Sequence, residues 1–185
     1  MSAQNSPPRL IADIGGTNAR FALADLAGAH PLHADSVRSF EVANFESLAA
    51  AARHYLEGFA ADRARIATGV FALAGRVDGD AARITNHTWT ISRAATQQAL
   101  GLAKLRLVND FAAQAMAISL LDGEDLAMIG EVPWKSSPAK SRTYGVLGPG
   151  TGLGVGALVY REGCTFALET EGGHVSFAPN NDEES

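Results

Sequence analysis

The sequence predicts an α/β fold, a β-β-β-α-β-α-β-α unit followed by the first three strands of a second, truncated unit. Three observations carry this. Short apolar runs end at glycine turns, first in "RLIADIGGTNARFAL" (Arg9 to Leu23). One stretch, "NFESLAAAARHYLEGF", repeats its apolar residues at helical spacing. The strand, turn and strand of the opening then return at "TYGVLGPGTGLGVGALVY", where aligning Gly15 with Gly150 also places Ala22 on Ala157 and Leu23 on Leu158.

Residues 1–8, with Ser, Asn and two prolines, predict a disordered leader. Arg9 to Ile14 and Ala19 to Leu26 form a hairpin across Gly15 and Gly16, with consecutive glycines expected to supply positive φ. A third strand covers roughly 33–42. Phe45, Leu48, Ala52, Tyr55, Leu56 and Phe59 then line one face of a helix, with Asn44 as its cap. "RIATGVFALAG" is a buried strand ending at Gly75, and "DGDAARITNHTWTIS" is an irregular excursion of strand and loop. Ser92 caps a helix to about Leu100, "KLRLVND" is a short strand halting at Asn109 and Asp110, and "FAAQAMAISLL" is a small-residue helix. Residues 9–121 thus make a small domain, and 122–185 a polar connector and the incomplete start of a large one. Its third strand is Cys164 to Glu169, and Pro179 with Asn180, Asn181 and three acids resembles a helix entrance. Three strands without their helices leave one sheet face uncovered, the mark of a fragment.

Composition narrows the function. The chain of 185 residues is 46% hydrophobic and 19% charged, a globular balance. A net charge of -5 with no run of Lys or Arg argues against nucleic acid as a partner. A single cysteine, Cys164, excludes an internal disulfide and a cysteine-based zinc cluster, and suits a reducing cytoplasm. No window reaches the ~18 apolar residues of a membrane span.

Four constellations carry chemistry. Asp13 stands at a strand end beside Gly15, Gly16 and Thr17, where a carboxylate holds Mg²⁺ through water while bare backbone N–H groups approach phosphate oxygens. The same residues suit a plain hairpin with Asp chosen for turn propensity. "GPGTGLG" places glycines at 148, 150, 152 and 154, clearing one face of a turn for a phosphate or sugar, or merely softening a hairpin. No helix follows to make it a dinucleotide fingerprint, and no Gly-Lys-Ser/Thr makes a Walker motif. Asn109 and Asp110 end a strand and open a helix, at the sheet edge where α/β proteins place ligands, although Asp110 also suits a simple cap. In "ETEGGHVSF", Glu171 and His174 flank two glycines and suit sugar hydroxyls, or form a surface turn. His87 and Trp89 read as structural.

Taken together, "ADIGGTNARFAL", "TNHTW", "VNDF", "GPGTGLGVGAL" and "EGGHVSFAP" resemble, in order, the bacterial-type glucokinases. These are ATP-dependent hexose kinases of the sugar kinase, heat-shock ATPase and actin superfamily. The resemblance implies a ribonuclease-H-like (actin-like ATPase) fold of two units around a cleft. It implies transfer of the γ-phosphoryl group of ATP to the 6-hydroxyl of glucose, giving glucose 6-phosphate, the first step of glycolysis. By position it implies a phosphate turn at Ala12, Asp13, Ile14, Gly15, Gly16 and Thr17, with Asp13 organising Mg²⁺ through water. Gly150, Thr151 and Gly152 match the second phosphate motif, Thr151 and Gly152 also bordering the sugar. Asn109, Asp110, Glu171 and His174 match sugar contacts, Asp110 being the general base. The family further implies a cytoplasmic homodimer when full length. Its adenosine-binding motif lies beyond the point this chain reaches, so the expectation is that these residues alone are inactive. A sugar-sensing module without catalysis is the alternative.

Overall fold

The computed structural model describes residues 7–25, 31–60, 64–84, 87–121, 123–130, 141–149, 153–170 and 172–174, the last by its backbone. The chain divides into two compact units, Met1–Asp110 and Phe111–Ser185.

In the first unit a five-stranded mixed sheet has the order β3-β2-β1-β4-β8. Strands β1 (Arg9–Ile14) and β2 (Asn18–Ala24) are antiparallel, and β3 (Arg38–Glu41) continues the meander at the edge. On the other side β1, β4 (Thr68–Leu73) and β8 (Lys104–Asn109) run parallel. Parallel strands need crossovers, which α1 (Leu48–Glu57) and α2 (Arg93–Leu100) help to supply. The α/β class expected from the sequence is therefore present.

Alternation decides the buried face. Leu10, Ala12 and Ile14 of β1, with Phe71 and Leu73 of β4, point into a core shared with Ala51, Ala52, Tyr55 and Leu56 of α1. Phe21 of β2 joins them, its ring 5.5 Å from Tyr55 and edge-on to Phe71 at 6.2 Å. Each such fully buried side chain contributes about 1.5–3 kcal/mol.

Local geometry corrects several expectations. Neither Gly15 nor Gly16 has positive φ, so the turn after β1 does not use the left-handed freedom of glycine. The third strand begins at Arg38, not near 33, because residues Ala34–Ser36 form a 3-10 turn. The buried Ser36 holds that turn, its Oγ accepting from the Leu23 N–H at 2.8 Å and donating to the His33 carbonyl at 2.6 Å. Helix α1 is capped by Ser47, not Asn44: Ser47 Oγ accepts from the Ala50 N–H at 3.2 Å, whereas Asn44 closes a 3-10 turn, Val42–Asn44. Ser92 does cap α2, accepting from Ala95 N–H, and Gly101 ends the helix with φ of 68°.

The irregular excursion contains a small antiparallel sheet, β5 (Val77–Asp78), β6 (Ala81–Arg83) and β7 (Thr90–Ser92). Asp80 ties it to α2, accepting from Ser92 Oγ at 2.8 Å and Ala94 N–H at 3.1 Å beside Arg93 at 3.0 Å. Trp89 is buried, its indole N–H donating to the Phe45 carbonyl, while His87 Nδ1 accepts from the Trp89 N–H.

The helix α3 (Asp110–Ala117) opens on the last residue of the first unit. In the second unit β9 (Ser141–Pro149), β10 (Leu153–Arg161) and β11 (Cys164–Glu169) form an antiparallel sheet of order β11-β10-β9. Register puts Leu147 beside Val155, Val159 beside Phe166, and Ala157 beside Leu168 on one face. On that face Leu147, Leu153, Phe166 and Leu168 are exposed, whereas Leu158 on the other face is buried.

Candidate active site

The parallel register brings two of the predicted constellations to one sheet edge. Ile14, Leu73 and Asn109 stand in one row across β1, β4 and β8, so the turn at Gly15 and the Asn109–Asp110 pair leave the same C-terminal edge. They are two strand spacings apart, about 10 Å. This is where open parallel sheets bind ligands, because strand ends supply polar backbone and helix starts without side chains in the way.

On β1, alternation that buries Ala12 and Ile14 in the core necessarily turns Asp13 to the other face. The backbone of Ala12 and Ile14 lies between β2 and β4, which pair with β1 on either side. Register places Arg20 directly opposite Asp13, and its guanidinium stands 3.5 Å from Asp13 Oδ2. Both side chains are about 60% exposed (61% and 60%), so the pair contributes little stability. The motif alone does not reveal Arg20, whereas pairing the strands about a turn at Gly15–Thr17 places it opposite Asp13.

The turn itself is braced. Gly15 N–H donates to the Asn18 carbonyl at 2.9 Å, so this amide is committed within the turn rather than bare. Val42 N–H donates to the Thr17 carbonyl at 2.9 Å, and Ala74 N–H to the Ile14 carbonyl at 2.8 Å. The glycines hold a compact extended turn whose exposed side is at Thr17 and Asn18.

At the end of β8, Asn109 Nδ2 donates to the Gly75 carbonyl at 3.1 Å. The exit of β4 is thereby tied to β1 by Ala74 and to β8 by Asn109, a connection that no local sequence signal reveals. Asp110 is the first residue of α3, an acid in its first turn.

The remaining predicted residues lie in the second unit. Gly150, Thr151, Gly152 and Glu171 fall outside the described residues, as does the side chain of His174, whose backbone closes a 3-10 turn, Gly172–His174. Gly172 and Gly173 are needed there for close packing. A methyl at Gly172 would stand 3.2 Å from Val155 Cγ1, and one at Gly173 would overlap the Leu153 carbonyl.

Among the described residues no group of three His, Cys, Asp or Glu is placed to hold a metal, and no helix is long and apolar enough to cross a membrane. The donor set at the β1 turn would fit Mg²⁺ in one way: the single exposed carboxylate of Asp13 would hold it through water, a mode this ion accepts.

The mixed α/β sheet is the architecture that this chain shares with solved glucokinases. The structure aligns with a glucokinase from an Antarctic psychrotroph at a TM-score of 0.79 and 35% identity, covering 96% of this chain and 54% of that one. It aligns with a ROK family glucokinase from Streptomyces griseus, solved with glucose and AMPPNP, at a TM-score of 0.56 and 18% identity, covering 95% of this chain and 52% of that one. The chain belongs to the glucokinase family, whose description, "Glucokinase", matches residues 10–185. It is 59% identical over 185 residues to a glucokinase of Stenotrophomonas maltophilia (strain R551-3), a match covering all of this chain and 54% of that protein. The chain thus spans about half the length of the curated relatives it matches.

Proposed function

We propose that this chain is part of a glucokinase that moves the γ-phosphoryl group of ATP to the 6-hydroxyl of glucose. The observation that carries the reading is the shared edge of β1, β4 and β8, where a carboxylate beside a glycine turn and an Asn-Asp pair stand in adjacent register. Family membership supplies the substrates.

In this scheme Asp110 accepts the 6-hydroxyl proton as that oxygen attacks the γ-phosphorus, and ADP leaves with the broken bond's electrons. Asn109 orients the sugar from the same strand end. The phosphate turn spans residues 12–17, its contacts coming from beyond Gly15, whose N–H is held by the Asn18 carbonyl, and from the Thr17 hydroxyl. Gly150, Thr151 and Gly152 make the second phosphate contact, Thr151 and Gly152 also bordering the sugar, and Glu171 and His174 bind further sugar hydroxyls. Mg²⁺, reached from Asp13 through water, supplies neutralisation of phosphate charge when bound. The second half-fold, β9 to β11, is read as the truncated copy of the first, within a small domain of 9–121 and a large one beginning in 122–185. A homodimer and a cytoplasmic location complete the proposal.

The test joins residues 1–185 to the segment of the Stenotrophomonas maltophilia glucokinase that follows its matched region. This chimera is expected to form ADP and glucose 6-phosphate only with glucose, and residues 1–185 alone to form neither. Asp110→Ala is expected to lower kcat by roughly 10²–10⁴-fold with glucose still bound. Undiminished turnover would remove Asp110 as the base. Glucose binding without any phosphorylated product would favour a sugar-sensing module instead.

A further inference from the structure

We infer that the glycines of the second hairpin are cleared for a ring of the protein's own: Phe111 is a positioning residue that seats the first turn of α3 on β9 and β10. The seat is read from the structure, and its bearing on turnover rests on the phosphotransfer reading above.

Register pairs Gly148 of β9 with Gly154 of β10, and Gly156 follows on the same face. A methyl at Gly148 would stand 2.7 Å from Phe111 Cζ and 2.9 Å from Cε1. One at Gly154 would fall inside the ring, overlapping Cε2 and Cζ. One at Gly156 would lie 3.0 Å from the Phe111 carbonyl oxygen and 3.3 Å from its Cβ. Three glycines therefore meet one residue, two through its ring and one through its backbone. Gly145, on the opposite face of β9, has nothing within 4 Å of its added methyl, so close approach is confined to the Phe111 side.

Glycine in a strand interior weakens the strand, because it adds backbone entropy to the unfolded chain and packs nothing. Three on one face need a compensating contact, and the aromatic ring provides it. The spacing that suggested a surface cleared for phosphate or sugar is filled, at 148 and 154, by Phe111. Phe111 is bonded to Asp110 in α3, so the ring's seat fixes the rotation and axial setting of the turn that carries the proposed base. A shift of about 1 Å in such a group costs on the order of 10²-fold in rate.

The experiment is a double-mutant cycle of Gly154→Ala and Phe111→Ala, with Gly145→Ala as control and Phe111→Leu as the conservative variant. It is read twice, by urea unfolding of the 185-residue chain and by kcat and KM in the chimera. Gly154→Ala alone is expected to lower the unfolding midpoint and to cut kcat roughly 10–100-fold with a smaller change in the KM for glucose. In the Phe111→Ala background the same methyl finds room, so both losses shrink, while Gly145→Ala changes neither and Phe111→Leu retains more kcat than Phe111→Ala. Additive effects in unfolding would overturn the seat. Coupled unfolding with an unchanged kcat would overturn the positioning role. A chimera inactive without any substitution would sink the phosphotransfer reading, and the positioning role with it, while the unfolding cycle still decides the seat.

Discussion

Replacing Asn109 by Asp exchanges an amide NH2, with its two N–H donors, for a carboxylate oxygen at almost unchanged volume, which tests the tie between β8 and the exit of β4. Asn109 Nδ2 donates to the Gly75 carbonyl at 3.1 Å, and both residues are partly buried. A neutral hydrogen bond contributes about 0.5–1.5 kcal/mol net, and an acceptor left without its donor costs about 1–3 kcal/mol. Asn109→Ala should therefore cost roughly 1 kcal/mol. Asn109→Asp should cost about 2 kcal/mol, because a carboxylate oxygen then faces a carbonyl oxygen with no proton between them. For a chain of this size the Asp variant should melt roughly 4–8 °C lower, at 2–4 °C per kcal/mol. Thermal unfolding by circular dichroism and the urea midpoint at pH 7 measure this. Lowering the pH toward 3 protonates the new carboxyl and restores a donor, so the gap between variant and parent should narrow. An Asp variant as stable as the parent, or less damaging than Ala, would refute the assigned donor and with it the tie.

Other predictions concern the core, a cap and the open sheet. Burial holds the Tyr55 hydroxyl above its ordinary pKa of 10.0, opposed by the nearby Ser36 side chain and by Arg38. Because the folded state favours the protonated phenol, its contribution is complete below the unfolded pKa and is lost as pH rises through the higher folded value. Unfolding followed from pH 8 to 11 should thus show stability falling above about pH 10, and Tyr55→Phe should flatten that fall while costing about 1 kcal/mol at pH 7 for the lost 3.0 Å bond to the Ser36 carbonyl. Ser92→Ala should cost about 1 kcal/mol in urea, since it removes the cap of α2 and one of the partners of Asp80 together, and Ser92→Asn should recover part of it. The exposed Leu147 and Phe166 should make the 185-residue chain bind an apolar dye such as ANS, and a Leu147→Ser, Phe166→Ser double variant should bind markedly less.

The α/β class was legible because strand and helix periods are local. Ser92 announced itself as a cap for the same reason: capping is settled within four residues. Asn44 and Ser47 show the limit of that logic, since both suit a cap and the choice fell to whichever residue the chain left extended before Leu48. The turn at Gly15 and Gly16 was legible as a turn, but not its conformation, because the brace at Val42 comes from a distant residue.

The sequence by itself determined which side chains carry the proposed chemistry, since Asp13, Asn109 and Asp110 are recognisable from their places at strand ends and glycine turns. Tertiary structure alone decided what surrounds them. Arg20 meets Asp13 through antiparallel register, Asn109 reaches Gly75 from 34 positions away, and Phe111 fills the space that the glycines at 148 and 154 leave open. Each contact joins residues on different strands or elements. The physical reason is that strand pairing and close packing are chosen by the whole core at once, whereas a turn, a cap or a strand end is chosen by its neighbours.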